Sequence, residues 1–190
     1  MNLNQFVAAA AIAMSALALS PSASAVVLTG SSGANIVTDY SEAGVVSFDL
    51  DLHNFSGTRL DFTLEEADLA GPLSFNAIIR NLVGLSLHQF SFTLQGIGYA
   101  AAGSVSSFSG AQASYSSNSA IINFPNGETA DILFGNPNGD SGRSNWLLDT
   151  TGLSAGDTFS IVTRVPEPST VAMVMPLLAG LLLARRRKRD

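Results

Sequence analysis

Residues 26–164 read as an all-β fold, a single β-sandwich domain for which a jelly roll is one wiring. Three observations predict it. Gly, Ser, Asn and Asp punctuate the segment every several residues, with Phe, Val, Ile, Leu and Thr filling the intervals. Several of those intervals alternate apolar with polar residues, the period of a half-buried strand. No stretch sustains the 3.6-residue apolar repeat of an amphipathic helix.

Taken in order, residues 36–39 form the first candidate strand. Residues 46–52 alternate cleanly: Val46, Phe48, Leu50 and Leu52 face a core, and Asp49 and Asp51 face solvent. Residues 54–57 (Asn-Phe-Ser-Gly) read as a turn. Leu60, Phe62 and Leu64 alternate again, which predicts the return strand of a hairpin. Residues 65–69 are the one short helical candidate. Further strands are expected at 74–80, 90–95, 120–124, 130–134, 145–149 and 158–163. Residues 100–119 are rich in Ser, Ala and Gly and read either as a flexible loop or, given Phe108 and Tyr115, as weak edge strands. Phe62-Thr63-Leu64 and Phe92-Thr93-Leu94 repeat a tripeptide thirty residues apart, which a duplicated hairpin would produce and chance similarity between two core strands explains as well. About eight to ten strands at this spacing favour a sandwich over a barrel.

The body is strongly acidic. It carries thirteen acids against four arginines (Arg59, Arg80, Arg143 and Arg164) and no lysine, a net charge of about −9 that the whole-chain value of −6 conceals. Such a surface repels nucleic acid and anionic lipid. There is no cysteine, so the core must hold by packing alone.

Candidate chemistry is sparse. Asp51 and His53 share a face by parity, which allows an acid–histidine pair, but no Gly-x-Ser-x-Gly elbow supplies a nucleophile. His88 is the other histidine. Asp49 and Asp51, with Asp61 expected across the hairpin, offer carboxylates for calcium or for glycoside hydrolysis, or simply a solvated face. Asn136-Pro137-Asn138-Gly139-Asp140 alternates oxygen-bearing side chains as calcium loops do, and is equally the composition of a turn. Asn136, Asn138 and Asp140 are therefore the best, though weak, metal candidates, and no cofactor is required. Trp146, close behind, is either a sugar-stacking platform or core. Phosphate loops, zinc spacings and dinucleotide fingerprints are all missing from the sequence.

Both ends carry address-like patterns. Residues 7–19 form an apolar, alanine-rich run ended by Pro21, and Ala23-Ser24-Ala25 fits the small-x-small rule for signal peptidase, placing a mature start at Val26. Residues 1–5 lack the usual Lys or Arg. At the other end Val165-Pro166-Glu167-Pro168-Ser169 precedes an uncharged run, 170–184, and then Arg185, Arg186, Arg187, Lys188 and Arg189. The two prolines stiffen the motif. A fifteen-residue helix spans only about 22 Å of a ~30 Å hydrocarbon core, and snorkelling arginine stems extend it. The positive-inside rule puts the basic end in the cytoplasm and the body outside.

This tail resembles the PEP-CTERM sorting signal of Gram-negative bacteria: motif, apolar transmembrane segment and basic end in that order, with Val171 in the region where the family often has tryptophan. The resemblance covers residues 165–190 alone. It implies a membrane-embedded exosortase that recognises the tail and cleaves near the motif, transient residence in the inner membrane, and a product associated with the cell surface and exopolysaccharide matrix. The expectation is a non-enzymatic, exported surface or matrix protein. A carbohydrate- or calcium-binding module is the alternative, and a small hydrolase the weakest third.

Overall fold

Parity decides the strands. In Val45–Leu52 the side chains of Val46, Phe48, Leu50 and Leu52 are buried, as their two-residue spacing requires. The computed structural model describes residues 25–166, and within them the chain is all-β, in two sheets. The strands are β1 (Val27–Ser32), β2 (Ile36–Asp39), β3 (Val45–Leu52), β4 (Thr58–Thr63), β5 (Leu73–Asn81), β6 (Leu87–Gln95), β7 (Gly98–Ala101), β8 (Val105–Ser106), β9 (Gln112–Tyr115), β10 (Ser119–Glu128), β11 (Ile132–Phe134), β12 (Trp146–Asp149) and β13 (Thr158–Arg164). Residues Glu66–Ala70 form a 3-10 helix. It is pinned by the Asp68 carboxylate, which accepts from the backbone N–H groups of Gly44 and Glu65.

The first sheet has the order β1-β4-β13-β6-β10-β9 and every pair in it is antiparallel. The second runs β2-β3-β5-β11-β8, with β12 also pairing β5 and β7. Its β3–β5 pair is parallel over the whole of β3, from Val45↔Ser74 to Leu52↔Asn81. β11 and β12 follow one another along the same edge of β5, opposite Ile79–Ala77 and Phe75–Leu73. They are two pieces of one strand line, and residues 135–145 loop out between them.

The predicted hairpin of residues 46–52 and 60–64 does not form. β3 pairs β2 and β5, whereas β4 pairs β1 and β13 in the other sheet, so residues 53–57 cross between sheets. Alternation reveals which face of a strand is buried, not which neighbour it bonds. β1 leaves no strand signature in the sequence, because Thr29, Gly30, Ser31 and Ser32 carry little apolar signal. The Ser/Ala/Gly-rich stretch holds the short edge strands β8 and β9, with Phe108 in the loop 107–111 between them.

Phenylalanines of the two sheets meet in one core. Phe92 of β6 lies 5.2 Å from Phe75 and 4.5 Å from Phe134 between ring centroids, both from the second sheet, and Phe48 packs edge-on to it at 6.3 Å. Eight phenylalanines and Trp146 are fully buried. Both flanks of the body are seamed into this core: Val26 and Val165 are buried members of it. Val27 opposes Thr63 while Arg164 lies beside Ser91 near the start of β6, so the chain enters at one end of the strands and leaves at the other.

Ala23, Glu167, Pro168, Ser169, the apolar run 170–184 and the basic residues Arg185, Arg186, Arg187, Lys188 and Arg189 lie outside the described residues. Among the described residues no helix is long and apolar enough to cross a membrane.

Candidate functional site

The outer face of the second sheet carries a cluster of polar side chains. On β3 the odd residues Ser47, Asp49 and Asp51 point outward, and on its parallel neighbour β5 the even residues Asn76, Ile78 and Arg80 do. Opposite register then places Asp49 and Asp51 beside Ile78 and Arg80. Arg80 forks between the two carboxylates, with Nη1 donating to Asp51 Oδ1 at 2.9 Å and Nη2 to Asp49 Oδ2. Asp49 is consequently 6% exposed rather than solvated. Hydrogen bonding to Asp51, joined by the charge of Asp49, holds the Arg80 guanidinium above its ordinary value. The paired aspartates read from the sequence are therefore both committed to one guanidinium, a cluster with one net negative charge rather than a pair of free carboxylates.

Asp61 is not near them. It sits in the other sheet, where Ser160 Oγ donates to it at 2.6 Å and Arg59 Nε at 2.8 Å. The Ser160 hydroxyl, with Arg59 assisting, keeps its carboxyl below the ordinary range. His53 is exposed at the end of β3. Its backbone N–H donates to Asn35 Oδ1, and Asp51 is committed to Arg80, so the acid–histidine pair is not made. His88 is exposed on β6, away from Asp51.

Beside the ion-pair cluster lies an open cleft of about 530 Å³. Ser47 and Asn76 form its floor and are joined by a hydrogen bond from Ser47 Oγ to Asn76 Oδ1 at 2.7 Å. Tyr40, 58% exposed, and Glu42 stand on one side, and Asn136, Pro137 and Asn145 on the other. The second wall is the loop that interrupts the β11–β12 line. Asn136 shapes it: its Oδ1 accepts the Asp140 N–H at 2.7 Å, its Nδ2 donates to Asp140 O at 3.1 Å and Arg143 O at 3.4 Å, and its own N–H donates to Asn145 Oδ1. Gly139 supplies the positive φ of +69° that the turn needs. Asp140 pairs with Arg143 Nη1 at 3.4 Å and Asn138 is exposed at the tip. The loop closes through its own hydrogen bonds, as a turn. Among the described residues no cluster of three or more metal-ligating His, Asp or Glu occurs.

Trp146 is core, which removes it as a sugar platform. Phe134 stacks on its face at 4.6 Å and 12°, Tyr99 and Tyr115 meet it edge-on, and its indole N–H donates to Ser104 O at 3.2 Å. Burial without a partner for its hydroxyl pushes the neighbouring Tyr99 phenol up. Tyr40 is an exposed aromatic beside polar groups, one residue past the end of the four-residue β2, where the alternation is too short to single it out.

Of the address residues, Ala25 is half-buried, Val165 is buried in the core and Pro166 is the first exposed residue after β13. No family model, curated protein or solved structure matches the chain.

Proposed function

We propose that this is an exported, non-enzymatic protein of the cell surface or extracellular matrix, with a β-sandwich body delivered by its C-terminal signal. Signal peptidase removes residues 1–25, the apolar run 170–184 holds the precursor in the inner membrane with Arg185 to Arg189 in the cytoplasm, and an exosortase cuts near Pro166, Glu167 and Pro168. The observation that carries this reading is the order of motif, apolar run and basic block directly after the last strand. Intact-mass analysis of protein recovered from its native host tests it. The expected species starts at Val26 and lacks everything beyond the Pro-Glu-Pro region. Mature material that retains Arg185 to Arg189 would overturn the cleavage.

Tyr40 favours a second reading, compatible with the first: the cleft over Ser47 and Asn76 holds a saccharide. An exposed ring beside amide and hydroxyl groups suits a sugar's apolar face and its hydroxyls together. Retention in an exopolysaccharide matrix would follow.

A further inference from the structure

The loops around the chain's exit are chemically unlike those at the opposite end. Strand directions place residues 33–35, 53–57, 82–86, 107–111 and 129–131 beside the end of β13, where Val165 and Pro166 emerge. Leu82, Leu85 and Phe108 there are 52%, 56% and 92% exposed. Among the described residues Phe108 is the one exposed phenylalanine, where eight are buried and Phe55 is half-buried.

These tips are braced, not loose. Asn81 Nδ2 donates to Leu85 O at 2.7 Å and to Glu128 O at 3.2 Å. The buried Glu128 carboxylate takes the Ser109 N–H and hydroxyl on one oxygen and the Thr129 and Ala130 N–H groups on the other. Asn81 thus fixes the loop that carries Leu85, Glu128 fixes the one that carries Phe108, and the two are bonded to each other.

Charge is segregated in the same sense. Asp131 is the one exposed acid in the exit-end loops, and Arg164 is exposed beside them. The opposite loops, 40–44, 64–72 and 149–157, hold Glu42, Glu65, Glu66, Asp68, Asp149 and Asp157 and no lysine or arginine. At ~3.3 Å per residue the ten-residue β10 separates the two ends by about 30 Å, several Debye lengths at physiological salt.

We propose that the exit end is a membrane-contact surface: Leu82, Leu85 and Phe108 dip into the interface of the bilayer that holds the precursor's tail. The proposal rests on the tail spanning that bilayer. Val165 is fixed in the core, and the steps from it to the apolar run at Thr170 reach at most ~18 Å even when fully extended. The tether is too short for the body to turn its acidic end downward. Apolar tips meet the lipid while the acids point away, so the net-negative body docks without facing anionic head groups. Cutting the tail leaves only the three tips, a contact too small to retain the body alone.

The chain has no cysteine, so single labels are clean. The full chain, carrying Leu85→Cys or Phe108→Cys with a polarity-sensitive fluorophore, is recovered from the membrane fraction and reconstituted in phosphatidylethanolamine–phosphatidylglycerol vesicles. Both labels should shift to the blue and be quenched by nitroxide lipids, while a label at Glu66→Cys stays aqueous. Labels at 85 and 108 that remain aqueous on a chain that floats with the vesicles overturn the contact and leave the tail reading standing. A chain that fails to enter the membrane fraction overturns the tail reading itself. Leu82→Glu with Leu85→Glu, on the Phe108→Cys background, should return that label to water; no change would overturn the role of the leucines.

Discussion

Ser109 and Glu128 are joined twice, the amide of Ser109 donating to Glu128 Oε2 at 2.8 Å and its hydroxyl to the same oxygen at 2.9 Å. Burial pushes this carboxyl up, but the hydrogen bonds from Ser109 and Ala130 outweigh burial and leave it below its ordinary value. A carboxyl depressed in the folded state adds stability that is fully present above its unfolded value of ~4.3 and is lost as pH falls through the folded value. Asp61 acts in the same direction. Urea melts from pH 7 downward should show little change until about pH 5 and a progressive fall below it. Glu128→Gln should flatten part of that acid dependence, since the amide cannot titrate.

Glu128→Ala should cost on the order of 3 kcal/mol, because it strands several backbone and hydroxyl donors around a buried site. Chemical denaturation measures the loss. Proteolysis should locate it, with cleavage at 107–111 appearing before global unfolding.

Arg80→Ala should destabilise by about 2 kcal/mol, less than a fully buried pair because Arg80 still reaches solvent. The cost arises from Asp49 left buried without a counter-charge. Asp49→Asn in the same chain should recover part of it, a coupling that a double-mutant cycle reads directly.

Tyr40→Ala should weaken saccharide binding about ten-fold, roughly 1.4 kcal/mol, with the melting temperature unchanged. Trp146→Ala should do the reverse, lowering stability by ~3–5 kcal/mol through the cavity it opens among Phe134, Tyr99 and Tyr115. A glycan array with calorimetry on both variants checks the pair. Equal affinity of Tyr40→Ala and the parent for every glycan bound would remove the cleft from consideration.

Much of the body was legible in the sequence where burial writes a period. Val46, Phe48, Leu50 and Leu52 announced β3, and Leu60 and Phe62 announced β4. What parity does not encode is pairing. The Arg80 fork depends on β3 and β5 lying parallel, which brings Asp49 to a residue thirty-one positions away. No local pattern could show that Asp49 and Asp51 were spoken for. Trp146 was ambiguous for a related reason: its stacking partner Phe134 becomes a neighbour only because 135–145 loops out of one strand line. Tyr40 continues the outward parity of Thr38, opposite Ser47, and that was the signal available for the cleft.

The two buried valines at the seams of the body dictate a schedule for any protease that trims it. Val26 is packed into the core, so an enzyme needing extended chain around that bond must act while the polypeptide is still unfolded. Val165 is packed in as well, and scission on its inner side would tear out part of β13's anchorage. A cut at the front would therefore have to precede folding, and one at the rear would have to fall from Pro166 outward.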